Sequence, residues 1–443
     1  MMRDLSILAI GVVEDGVMKF DNSLKLLDKA LKVIPKGTQT LSRCYDQWAK
    51  GTVPIFIDRA DGAYMYDVDG NEFVDLMGGL GPIILGYNHP IVNSAIQEQL
   101  DKGSIFSISS PLEAELAELL VEIIPCAEFV RFGKNGSDVT SIAVRISRAY
   151  TGKEHILSPT GHYHGWADFC AASSTKNKGL PESIKSLVDH FEYNDLDSLE
   201  AKLKIGKFGT VIMEPARLEA PNEGFLQGVR DLCTKHDAIL IFDEIVTGFR
   251  WAIGGAQEYY GVVPDMATVG KAMSNGMPIS ALVGKKELMK ELEGDVFFSG
   301  TYLGETLSIV SAIATINIMK DNRKAVFSHL WAKGDALRIA FNEHCDEIGL
   351  DAEMVGIGPL SNIKFGTSDQ SGCKDLFCKL MAERGFFVGV AVYVTLAHSD
   401  EVIERAINAM KSSLFEVADA LENRTIDTQL GGERSVSIFR KEI

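Results

Sequence analysis

The sequence is poor in basic residues, in cysteine pairs and in long apolar runs, and each shortage removes a class of function. Lys and Arg number 44 against 61 Asp and Glu, a formal charge of −17, so nucleic acid is not an expected partner. The seven cysteines, at 44, 126, 170, 233, 345, 373 and 378, are odd in number, scattered and without a CxxC pair. They read as reduced thiols of a cytoplasmic protein rather than as a disulfide framework. The only N-terminal apolar stretch, 5–13 (LSILAIGVV), is too short to span a bilayer, runs into Glu14 and Asp15, and has no small-residue cleavage site. It reads as a strand or appended arm, and no membrane partner is expected. The chain also has no internal repeat, no low-complexity tract and no Gly-Lys pair followed by Ser or Thr. Its glycine-rich stretch 77–90 (MGGLGPIILGYNHP) lacks G-x-G-x-x-G, so no dinucleotide site is signalled.

What is present is enough for more than one lobe: 443 residues, 46% hydrophobic and 24% charged, a soluble globular composition. Apolar spacing predicts a helix over 20–33, capped by Asp21 or Asn22, then extended chain over 53–57. The alternation AYMYDVDGNEFVDL predicts a hairpin turning at Asp69 and Gly70. Asp67 and Asp69 also suggest a calcium loop, but the glycine stands at its fourth position rather than its sixth. From a helix at 111–124 onward, strands (129–132, 155–158, 210–213, 238–242) alternate with helices (138–150, 196–203, 228–236). That alternation implies an α/β fold with a mostly parallel sheet covered on both faces. Helices follow at 307–319 and 328–344. The division expected is an arm (1–19), an N-terminal segment of a small lobe (20–76), a large domain (77–335), a C-terminal small α+β domain (336–421) and a polar tail (422–443), the two ends building one small domain.

The centre of the sequence is 238–278, where an apolar strand stops at Asp243 and Lys271 follows among small residues. ILIFDE (239–244) also fits the acidic strand beside the magnesium of P-loop ATPases, but that chemistry requires the missing phosphate loop. A pyridine ring that must accept electrons needs a carboxylate at its nitrogen, which Asp243 can supply, and a carbonyl cofactor is held by an amine such as Lys271. GKNGSDVT (133–140) offers Gly136 and Ser137 at a helix start for a phosphate, and FFSGTYLGET (297–306) offers Gly300 and Thr301 to an anion. GHYHGW (161–166) offers Tyr163 to stack on a ring. Each feature alone has an ordinary reading: a helix cap for Asp243, a solvated surface amine for Lys271, a glycine turn for 133–140. His162 and His164 invite zinc, but no Cys or acidic ligand set accompanies them, so no metal is expected. In this order the features together point to pyridoxal 5′-phosphate (PLP).

The series DVDGNEFVDL, LGY-NHP, NGSDVT, GHYHG, VIMEP, LIFDEIVTGFR, VGKAMSNGMPISALVG, FSGTYLGETLS and AHSDEVIER, over 20–421, resembles the class III aminotransferases of PLP fold type I. Within them it is similar to the branch that contains glutamate-1-semialdehyde 2,1-aminomutase. The resemblance implies Lys271 as Schiff-base lysine and proton shuttle, Asp243 at the pyridine nitrogen, Gly136 and Ser137 at the phosphate, and Tyr163 over the ring. It implies Glu214 as a support of the site, Glu219 facing substrate, and Arg43 for a substrate carboxylate. Thr301 would reach the phosphate of the other subunit's cofactor, so a homodimer acting on small amines and carbonyl compounds is implied. The departures are EPARLEAPNEG where the family has a glycine-rich EP-x-x-G-E-G, and FSGTYLGETLS where GTLSGNP is commoner. GVAVYVTLAHS also has neither the acidic residue of the aminomutases nor the switch arginine of ω-amino acid transaminases. Intermolecular transamination is therefore expected, with an intramolecular aminomutase as the alternative.

Overall fold

The computed structural model describes residues 18–172, 176–217 and 219–436; the stretch 5–13 expected as an arm and the last residues of the expected tail lie outside them. Helix α1 (Asp21–Ala30) is followed by strands β1 (Ile57–Asp61), β2 (Tyr64–Asp67) and β3 (Glu72–Asp75), then by helices α2 (Pro90–Leu100) and α3 (Pro111–Ile123). The cap of α1 is not its own Asp21 or Asn22. The Asp69 carboxylate, from the β2–β3 turn, accepts the Asn22 and Ser23 N–H groups at 2.7 and 2.9 Å. Asp67 in turn accepts the Asp69 and Asn71 N–H groups, so both aspartates of the supposed calcium loop stabilise backbone. The extended segment expected at 53–57 becomes a strand only from Ile57. Helix α2 had no sequence signal beyond Pro90, which opens it at the first helical position.

The large sheet comprises seven strands. In chain order come β4 (Phe129–Gly133), α4 (Gly136–Thr151), β5 (His155–Pro159), the short α5 (Asp168–Ala171) and α6 (Glu182–Lys185), β6 (Val188–Phe191) and α7 (Leu196–Leu203). Then follow β7 (Phe208–Met213), α8 (Phe225–Lys235), β8 (Ile239–Glu244), α9 (Gly255–Tyr260), β9 (Met266–Val269), β10 (Ser280–Gly284) and α10 (Lys286–Met289). Their spatial order is β4-β10-β9-β8-β7-β5-β6. β10 runs antiparallel to both neighbours, and the pairs from β9 through β6 are parallel. β7 is buried along its whole length, and in β8 only Ile239 is partly exposed, as expected of strands covered on both faces. The carboxyl ends of β4, β9, β8, β7 and β5 therefore share one edge, where ligands of such sheets bind.

After the large sheet come α11 (Thr306–Asp321), α12 (Arg323–Ile348), β11 (Ala352–Ile357), β12 (Leu360–Phe365), α13 (Gln370–Glu383), β13 (Phe386–Phe387), β14 (Ala391–Tyr393), α14 (Asp400–Glu422) and α15 (Ile426–Leu430). β13 pairs with β3, which joins the C-terminal part to the N-terminal hairpin in one sheet. Helix α12 runs unbroken through the boundary expected at 335/336. The segment expected as a polar tail is packed as far as it is described. Ile426 and Leu430 are buried, and Arg434 pairs with Asp369 at 2.5 and 2.9 Å. Among the described residues no helix is long and apolar enough to cross a membrane.

Candidate active site

Successive residues of a strand point to opposite faces, and the end of β8 uses both. Glu244 turns to one side, where its fully buried carboxylate accepts Thr247 Oγ1 (2.9 Å), the N–H groups of Ala256 and Gln257, and Gln257 Nε2 (2.9 Å). It anchors the start of α9 and takes no part in an acidic metal pair. Asp243 turns to the other side, 4% exposed. Its Oδ2 lies 2.7 Å from His164 Nδ1, and its Oδ1 accepts Thr268 Oγ1 at 3.1 Å from the paired position on β9. His164 is held at its other ring nitrogen by Ser158 Oγ (3.0 Å) and at its carbonyl by Thr140 Oγ1 (2.7 Å). Among the described residues no cluster could hold a metal. The two histidines have separate tasks instead, His164 on Asp243 and His162 Nδ1 on the Glu214 N–H (3.1 Å).

The start of α4 forms the second wall. Asp138 is the third residue of α4 and reaches back, accepting the Lys134 and Asn135 N–H groups at 2.8 and 3.0 Å. The first-turn N–H groups of Gly136 and Ser137 are left without an intrahelical acceptor, which suits an anion. Ser137 Oγ accepts the Trp166 N–H at 3.1 Å, fastening loop 161–166 to the helix start. Gly165, at φ +103°, is required there: a Cβ would stand 2.3 Å from Ser137 Oγ. Gly136 and Gly270 both abut Ile245, where added Cβ atoms would stand 3.3 and 3.2 Å from its side chain. Ile245 therefore links the helix start to the residue before Lys271.

Lys271 follows β9 and opens the 3₁₀ turn Lys271–Ser274 with φ +43°, a left-handed conformation costly for a side chain with a Cβ. Its amine makes no hydrogen bond or ion pair among the described residues. The turn is clamped by Asn275, whose Oδ1 accepts the Ile84 and Leu85 N–H groups (3.0 and 2.9 Å) and whose Nδ2 donates to Gly86 O (2.9 Å). Arg43 is exposed and donates to Gly79 O at 3.1 Å on that same loop. Tyr163 is 61% exposed, and its N–H donates to the buried Glu214 at 3.2 Å. Glu219 is exposed and turned away, accepting Asn194 Nδ2 at 2.8 Å. Gly300 and Thr301 are exposed on a loop suspended from Arg131, Arg145 and Lys134, which reach Phe298 O, Phe297 O and Glu305.

Sequence reasoning missed His164, Thr268, Ile245 and Gly165. It also missed Arg217, whose Nη1 donates to Gly161 O at 2.8 Å.

These residues fit PLP: a buried and oriented carboxylate for a ring nitrogen, an amine unpartnered among the described residues just after the next strand, and free amides at a helix start for the phosphate. With the sheet order, they define a PLP-dependent transferase of fold type I. The aminotransferase class-III family model matches residues 45–414, and the chain belongs to that family. The 3-aminobutyryl-CoA aminotransferase of Cloacimonas acidaminovorans (strain Evry) is 36% identical over 418 residues, covering 91% of this chain and 99% of that protein. The glutamate-1-semialdehyde 2,1-aminomutase of Citrifermentans bemidjiense is 40% identical over 423 residues, covering 88% and 98%. Among solved structures, the FumI protein of Sphingopyxis sp. MTA144, in its PLP internal aldimine form, superposes with a TM-score of 0.85 at 27% identity, covering 91% of this chain and 98% of that one. The chain is an enzyme of the class III aminotransferases, and its cofactor is pyridoxal phosphate.

Proposed function

We propose that the enzyme moves an amino group between separate amine and carbonyl substrates, as a cytoplasmic homodimer. When bound, pyridoxal phosphate supplies an electron-accepting ring and the carbon that carries the amino group from one substrate to the next. Lys271 would hold the cofactor through Nζ, and that amine when free would move the proton at the substrate carbon. Asp243, its two oxygens fixed by His164 and Thr268, would hold a proton at the ring nitrogen. Gly136 and Ser137 would bind the phosphate through backbone N–H groups, and Tyr163 would serve the ring. Thr301 would serve the cofactor phosphate of a second subunit. Phe297, Tyr302, Phe106 and Ile108 are exposed on neighbouring segments, which supports burial of that face against a second copy. The seven cysteines are unpaired, which suits a reducing compartment.

The observation that carries the intermolecular reading is the segment 389–398. It offers no carboxylate; within it Val394 O accepts Arg250 Nη1 (2.8 Å) and His398 bonds Asp75 O (3.0 Å). Favouring the aminomutase reading are relatives of that name at 32–40% identity. Turnover of purified enzyme with single substrates and with donor–acceptor pairs separates the two. A strict requirement for both partners is expected. Conversion of glutamate 1-semialdehyde alone, at undiminished rate without any acceptor, would refute intermolecular transfer.

A further inference from the structure

Residues 214–217 and 219–222 follow the carboxyl end of β7, one strand from Asp243, and their three charged side chains go three ways. Glu214 turns under loop 161–166, where its Oε2 accepts the Tyr163 N–H. Glu219 is drawn to Asn194 after β6, at the far edge of the sheet. Arg217 stays beside Tyr163. Its Nη1 donates to Gly161 O at 2.8 Å, and its Nε lies 3.8 Å from the same Glu214 Oε2 that holds the Tyr163 amide. Its side chain is 32% exposed, and its Nη2 has no acceptor among the described residues. With Nη1 on Gly161 O and Nε facing Glu214, Nη2 is the guanidinium donor left for a carboxylate.

We propose that Arg217 binds an anionic group of the substrate, a carboxylate, and so determines specificity. This rests on the transamination reading and narrows it to acidic amines or acidic carbonyl acceptors. Arg43 stands on another wall, held by Gly79 O on the loop that Asn275 clamps over the Lys271 turn. Arg217 adds a cation on the side of Tyr163. In a chain of charge −17, a cation placed there offsets local repulsion of an acidic substrate. Glu219, the residue the family resemblance turns toward substrate, accepts Asn194 Nδ2 instead.

The test uses PLP-loaded wild type, Arg217→Ala and Arg217→Lys, with single-turnover amine reactions followed by the cofactor's absorbance. The probes are 3-aminobutyrate and 2-aminobutane, which differ in a carboxylate against a methyl group. Arg217→Ala is expected to lower efficiency for 3-aminobutyrate roughly 10- to 100-fold, chiefly through the half-saturating concentration, as loss of a charged hydrogen bond predicts. 2-Aminobutane is expected to react unchanged, and Arg217→Lys to recover part of the loss. Equal losses on both amines would overturn the proposal, because Arg217 would then only hold loop 161–166. A second arm measures glutarate binding to the same holoenzymes by calorimetry, independently of turnover; weaker binding to Arg217→Ala supports the proposal and equal binding overturns it. If wild type reacts with no amine, the transamination reading fails and the glutarate arm still decides Arg217.

Discussion

His164 Nδ1 and Asp243 Oδ2 are 2.7 Å apart and both side chains are buried. The imidazole meets the Asp243 carboxylate at Nδ1 and the Ser158 hydroxyl at Nε2, 3.0 Å away. The imidazole therefore orients the carboxylate that faces the ring nitrogen. Asp243→Asn is expected to lower kcat by about 10²–10⁴, the range of a lost proton-holding group. His164→Asn should cause a smaller loss and shift the pH titration of the bound cofactor's absorbance. Steady-state kinetics and that titration check both.

Lys271→Ala should abolish the visible absorbance of the lysine-linked cofactor and reduce turnover by at least about 10²-fold. Cofactor should still bind through the start of α4. A variant retaining both absorbance and turnover would remove Lys271 from the chemistry.

Gly165→Ala should weaken cofactor binding and destabilise the fold by about 1–3 kcal/mol. Its φ of +103° disfavours any Cβ, and that Cβ would collide with Ser137 Oγ. Titration of apoenzyme with PLP and a denaturant melt measure the two effects.

Burial pushes the His398 imidazole down to about 4. Its neutral form is satisfied twice: Nε2 donates to Asp75 O, and Nδ1 accepts the Thr395 N–H at 3.1 Å. A proton on Nδ1 would break the second bond, and His329 and Arg250 nearby also oppose it. The unfolded chain binds this proton near pH 6.5 and the folded one only near 4. The contribution is therefore complete above pH 6.5 and is lost as pH falls toward 4, about 3 kcal/mol in all. His398→Gln should flatten stability against pH in that window, read from denaturant midpoints.

Truncation after Gly431 should loosen the Arg43 loop. Lys50 N donates to Glu433 O (2.9 Å), Val436 N to Asp46 O (2.8 Å) and Ser435 N to Asp375 Oδ2 (2.7 Å). The first two join the C-terminal segment to the stretch that follows Arg43, and the third ties it to α13. A lower Tm and a raised KM for acidic substrates are expected, with kcat little changed; an unchanged KM would separate this segment from the site.

The elements that sequence alone revealed are those whose signal is local. The apolar run of β8 ended by two acids, and the Gly-Ser turn opening α4, are each complete within a few residues, so Asp243, Gly136 and Ser137 were visible. Helix α15 was not, because Ile426 and Leu430 are two apolar residues in five, too few to show a period. The cap of α1 was not, because Asp69 stands 47 residues beyond Asn22. His164 resembled half of a metal pair until the fold showed that its ring meets β8.

The order of motifs thus determined the cofactor and the chemistry, since both depend on which groups exist and in what sequence they follow their strands. Only the tertiary structure decided how those groups are used. Hydrogen bonds act over about 3 Å, whereas Thr268 and His164 on Asp243, Trp166 on Ser137 and Gly161 on Arg217 lie 25 to 79 residues away along the chain. The same packing turned Glu219 toward Asn194 and left Arg217 beside Tyr163, a choice no spacing in the chain encodes.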